Sequence, residues 1–191
     1  ASGFAIIGPF AAIGLYEMSR LREQGVDVKW SNAFDVFRAP AVGAISILGL
    51  ALIATFLVWL AAAWGIYHAT LGPEEPQSLG TFLNAVFFTS AGWTLIVVGV
   101  GVGFLFAVFA MAISVVSFPL LLDRDVGLDT AIRTSVRAVT NNIVPMAAWG
   151  LIVAAALVIG SIPLFIGLVV VIPVLGHATW HLYRKLVANP A

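Results

Sequence analysis

The chain has 191 residues, of which nine are Lys or Arg, nine are Asp or Glu and none is Cys; its mean hydropathy is +1.07. A charged fraction of 9%, against roughly a quarter in soluble domains, excludes an ordinary soluble fold. A formal net charge of zero excludes a nucleic-acid partner, which needs a basic surplus on one face, and the missing cysteines exclude disulfides, thiolate metal sites and a cysteine nucleophile.

The charges are crowded: residues 1–16, 39–73, 76–122 and 138–183 carry none. Three of these stretches exceed the roughly 20 residues a helix needs to cross a hydrocarbon core of about 30 Å. The fold expected is therefore an all-α polytopic transmembrane helix bundle, one transmembrane domain over residues 1–191. The longest charged connection, Glu17 to Arg38, has 22 residues and is too short to fold alone.

In chain order the expected spans are Ala1 to Met18, Ala41 to Ala69, Trp93 to Leu122, Ile143 to Ile159 and Pro163 to Leu182. With five spans, all nine basic residues (Arg20, Arg22, Lys29, Arg38, Arg124, Arg133, Arg137, Arg184 and Lys185) fall on one side. Basic residues are retained in the cytoplasm, so the C-terminus is expected inside. Cutting Pro76 to Leu122 into two spans would divide the basic residues four to five, and the first part of that run, with Ser78, Thr81, Asn84, Thr89 and Ser90, is too polar to span. Leu79, Phe82, Leu83, Val86 and Phe87 instead recur at helical spacing, as in an uncharged helix lying in the outer interface.

Two further interfacial helices are expected on the cytoplasmic side. One is capped by Ser31, with Ala33, Phe34 and Phe37 against Asp35 and Arg38. The other is capped by Asp125, with Leu128, Ile132, Val136 and Val139 against Asp129, Arg133 and Arg137. A turn at Gly160 to Ile162, with Pro163 opening the next helix, makes the last two spans a tight hairpin. The recurrence of amphipathic segment, proline and span at Ser31 to Pro40 and Asp125 to Pro145 suggests a repeated unit. An upstream span in a longer precursor would bring the total to six.

The segment DRDVGLDTAIRTSVRAVTNNIVPM, Asp123 to Met146, with LGHATWHLYRKLV, Leu175 to Val187, and the opening IGPFAAIGLYEMSR, Ile7 to Arg20, resembles a family of bacterial integral membrane proteins known as domain of unknown function 2189. The resemblance implies a protein of about six spans in the bacterial inner membrane. Some members carry the label of cytochrome c oxidase subunit. No catalytic residue carries over.

Candidate sites lie where span ends meet. His177 and His181, four apart on one helix face, have the spacing of metal ligands, and a nearby carboxylate such as Glu17, Asp123 or Asp125 could complete a site. The alternative is an interfacial anchor or hydrogen-bonded network shared with Trp180, Tyr183, Arg184 and Lys185. A bis-histidine haem needs ligands at matching depth, and the third histidine, His68, falls at the opposite end of its span. Glu17, Asp123, Arg124 and Asp125 form a boundary network, with Arg124 able to pair with its neighbours or with Glu17. Gly99 and Gly103 are a small-xxx-small pair suited to close helix approach, and Pro173 should kink the last span. No charged residue lies at mid-depth, where ion-coupled transporters place one. Neither paired intramembrane aspartates nor a nucleophile elbow occurs. The function expected is therefore non-enzymatic and without a cofactor: an accessory or assembly component in contact with lipids and other membrane subunits. A transporter or channel for an uncharged or lipid-like small molecule is the alternative.

Overall fold

The computed structural model of the chain describes residues 2–27, 29, 32, 40–73 and 78–187, with the backbone alone over 2–12. Among these residues there are eight helices and no strand: α1 (Ser2–Glu23), α2 (Val42–Leu71), α3 (Leu79–Phe88), α4 (Ser90–Ser114), α5 (Ser117–Asp123), α6 (Leu128–Asn141), α7 (Ile143–Ser161) and α8 (Leu168–Leu186). The helix expected after Ser31 lies outside the described residues.

Three stretches are long and apolar enough to cross a membrane: Val42–Leu71, Ser90–Asp123 and Ile143–Ser161. The other two expected spans, α1 and α8, are not among them, so the count of five is not shown. α1 carries Glu17, Arg20, Arg22 and Glu23 in its last two turns. α8 starts only at Leu168, because Pro163 does not open it; that proline sits inside a longer turn in which Leu164 and Phe165 adopt φ of 50° and 66°.

The third expected span is broken. A proline cannot donate to the carbonyl four residues back, and its ring crowds that carbonyl. For Pro119 the carbonyl is that of Val115, and α4 ends at Ser114 while α5 restarts at Ser117, placing Pro119 within the first turn of α5. The break is repaired from two sides. The Ser117 hydroxyl donates to the Ile113 carbonyl at 2.7 Å, and the Val116 N–H donates to Oγ of Ser135 on α6 at 3.2 Å.

Two compact units make up the chain, residues 51–110 on one hand and 1–50 with 111–191 on the other. In the first, α3 is a separate helix, as its polarity implies. Oγ of Ser78 accepts from the Thr81 N–H, and the Thr89 hydroxyl donates to the Ala85 carbonyl while accepting from the Gly92 N–H. Gly92 is held so closely against the Ala85 and Val86 carbonyls that no Cβ fits there.

In the second unit α5 is central: residues 117–122 are all buried, and α5 packs against α1, α6 and α8. α6 buries Ala131, Ser135 and Val139 most deeply; of the expected face Val139 is among them, while Leu128, Ile132 and Val136 are half-buried beside them and Asp129, Arg133 and Arg137 are exposed. Gly127, not Asp125, is the α6 N-cap. α8 packs between α1 and α7, and Gly176 allows the first contact: a Cβ there would stand 2.7 Å from Cδ1 and 3.0 Å from Cβ of Leu15.

Candidate functional site

Contacts between α1 and α8 advance together along both helices. Gly176 meets Leu15, His177 meets Ser19 and Arg184 meets Glu23, so the two helices run parallel. Asp123, the last residue of α5, meets Tyr183 and Arg184. The carboxyl ends of α1, α5 and α8 thus converge, and three negative dipole ends concentrate at one place. Basic residues in the last turn offset such a field, and here α1 supplies Arg20 and Arg22 while α8 supplies Arg184 and Lys185.

Within this junction three carboxylates face three guanidiniums. Glu17, 4% exposed, is held by Arg20 through two bonds, Nε to Oε2 at 2.9 Å and Nη2 to Oε1 at 2.6 Å. Asp123 accepts from the Tyr183 hydroxyl at 2.7 Å and from Nη1 of Arg184 at 3.1 Å, and Nε of Arg124 lies 3.8 Å from it. Arg184 also grips Oε2 of Glu23, from Nε at 2.8 Å and Nη2 at 2.7 Å, and its guanidinium lies 5.4 Å from the Trp180 ring centroid.

Charge-assisted bonds of this kind are the strong ones, provided each partner is satisfied. The Glu17 hydrogen bond raises the pKa of Arg20 against the opposing effect of burial. For Arg184 burial works against the charge, yet the Glu23 hydrogen bond and the Asp123 and Glu23 carboxylates outweigh it, and the pKa rises. Burial, and then the bond to Asp123, push the Tyr183 phenol up, so it stays a donor.

The expected boundary residues are thus partly assembled. Asp123 and Arg124 pair with each other, while Glu17 takes Arg20, not Arg124. Asp125 is exposed on the loop. His177 and His181 have different partners: Nδ1 of His177 lies 2.6 Å from Oγ of Ser19, and Nδ1 of His181 lies 4.0 Å from Oε1 of Glu23. Oγ of Ser19 also lies 2.9 Å from the Leu15 carbonyl, so it bridges His177 to the α1 backbone. Among the described residues no group of three or more His, Asp or Glu stands close enough to hold a metal ion. Trp180 and Tyr183 are buried in the protein, and Tyr183 belongs to the hydrogen-bonded network through Asp123.

Of the glycine pair, a Cβ on Gly103 would lie 3.4 Å from Nε1 of Trp59 on α2, while one on Gly99 would meet nothing within 4 Å. The residues that the sequence reading passed over are Ser19, Glu23 and Gly176. Their signal was present in part, since Ser19 and Glu23 are four apart on α1, like His177 and His181 on α8, but two matching faces name no pairing until the helices are known to be parallel.

No curated protein and no solved structure matches this chain. A family model matches residues 1–123, a range that takes in Ile7 to Arg20 of the resemblance and stops at Asp123, where its second segment begins. That model describes a predicted integral membrane protein, DUF2189, and the chain, matched over more than half its length, belongs to this family.

Proposed function

We propose that this protein is a non-enzymatic component of the bacterial inner membrane that works through helix packing, as an accessory or assembly subunit of a larger membrane complex. The observation that carries the reading is the division of labour between its surfaces. The junction uses its charged groups on one another, while α2, α4 and α7 present large apolar side chains outward, among them Leu50, Trp64, Val100, Phe104, Leu151 and Val158. Such surfaces suit lipid and other apolar helices. Five spans with a cytoplasmic C-terminus agree with this reading, since helices whose carboxyl ends meet must leave the same side of the bilayer.

Purification in mild detergent, with mass spectrometry, elemental analysis and an absorption spectrum of the intact particle, tests the proposal. A stoichiometric membrane-protein partner is expected, with neither metal nor haem. Gly99→Leu, at a position with no close neighbour, is expected to weaken the partner's retention while the chain stays folded. A metal lost on His177→Ala with His181→Ala would establish a metal protein in its place. A transporter of an uncharged or lipid-like molecule is the second reading. An open apolar groove lined by Ala54, Thr55 and Val58 of α2 and Leu105, Phe106 and Phe109 of α4 favours it. Recovery of the chain alone, together with solute flux in liposomes, would decide for transport.

A further inference from the structure

The connection between α7 and α8 has the composition of a core and the exposure of a loop. Ile162, Leu164, Phe165 and Ile166 are 66–84% exposed, and no charged residue lies between Ala138 and Tyr183. Two consecutive non-glycine residues, Leu164 and Phe165, sit in the left-handed region, a conformation that costs energy at each. A loop in water has no need of this, because water satisfies its amides.

Here four amides of the turn are satisfied internally. Those of Ile162, Leu164, Phe165 and Ile166 donate to the carbonyls of Ile159, Ile162, Ser161 and Pro163 at 2.9–3.3 Å, and Pro163 has no N–H to place. The one hydroxyl, that of Ser161, donates to the Leu157 carbonyl at 2.7 Å. Hydrocarbon imposes this condition on any backbone that enters it. The legs of the hairpin are held together at the same end, where Gly160 and Gly167 are in contact and a Cβ on Gly167 would stand 2.9 Å from Cα of Gly160.

Length gives an independent argument. From Leu168 to Arg184, the residue that anchors the charge junction, α8 rises about 24 Å. This falls short of a core of about 30 Å. We propose that the α7–α8 turn does not emerge into water but is embedded among the acyl chains of the leaflet opposite the charge junction. This rests on the membrane placement given under Proposed function, with the junction at an aqueous boundary.

The chain has no native cysteine, so Ile166→Cys, Ile162→Cys and Lys185→Cys can each carry a nitroxide in the full chain reconstituted in phosphatidylcholine vesicles. Collision with oxygen, which concentrates in hydrocarbon, is compared with collision with a water-soluble nickel chelate. The oxygen-to-nickel ratio is expected to be several-fold higher at 166 and 162 than at 185. Free nickel contact at 166 and 162 overturns the proposal and leaves the placement intact. Shielding of both positions from oxygen as well as nickel overturns it in favour of a protein cover. Shielding of 185 from nickel overturns the membrane placement, and the proposal with it.

Discussion

Asp123 and Asp129 show how little an ion pair's presence says about its value. Both are bonded to an arginine at about hydrogen-bond distance, but the Asp129–Arg133 side chains are 76% and 71% exposed and that of Asp123 is 12% exposed. Removing Asp123 leaves the buried Tyr183 hydroxyl without its acceptor and Arg184 with one carboxylate fewer. Asp123→Ala should lower stability by about 2–3 kcal/mol, and Asp129→Ala by less than about 1 kcal/mol, read as thermal unfolding of the detergent-solubilised protein by circular dichroism. Equal effects would mean that the junction is not a stabilising contact. The glycines make the same point sterically. Gly176→Ala forces Cβ against Cβ of Leu15 and should cost about 1–3 kcal/mol, whereas Gly99→Ala meets open space and should be neutral or slightly stabilising through helix propensity. The order of the two melting temperatures checks this.

Among the elements, α5 and α6 depend on each other. α5 has seven residues, too few for an isolated helix to persist, and it exists because every side chain from Ser117 to Leu122 is buried by its neighbours. α6 has the strongest amphipathic pattern in the chain, yet its inward stripe contains a serine where an apolar residue would be expected. That serine satisfies the Val116 N–H exposed by the proline break. Ser135→Ala raises helix propensity and apolarity together, and it is nevertheless expected to destabilise by about 1–3 kcal/mol, because a fully buried N–H is left without a partner. Unfolding at unchanged or higher temperature would show that the Val116–Ser135 bond contributes nothing. The sequence announced α3 and α6, since polarity and period are local signals, but not the break before Pro119. It could not announce that Ser135 meets Val116, because only the packed partner defines which atom needs a bond.

For the whole molecule, the carboxyl ends of α1, α5 and α8 meet at one place, and the nine-to-zero partition of basic residues expected with five spans would make that side cytoplasmic, as proposed. A reporter active only in the periplasm, fused after Ala191, is expected to stay silent. Strong periplasmic activity would invert the orientation and move the charge junction to the outer face. A cytoplasmic reporter at the same place should be active, which guards against simple loss of expression.

What the amino-acid sequence determined by itself is the solvent: charge-free runs of 35, 47 and 46 residues can be accommodated only in hydrocarbon, and the family match over residues 1–123 agrees. It also separated α3 from α4 and α7 from α8, because polar clusters and glycine act on their own neighbourhoods. Tertiary structure decided which charges meet. Glu23, Asp123 and Arg184 are separated by up to 161 positions, and their pairing follows from the carboxyl ends of α1, α5 and α8 converging, a relation that no local pattern encodes. It also decided that Trp180 and Tyr183 are buried, since an amphipathic aromatic suits a headgroup region and a protein junction equally well, and only the tertiary structure shows what it packs against.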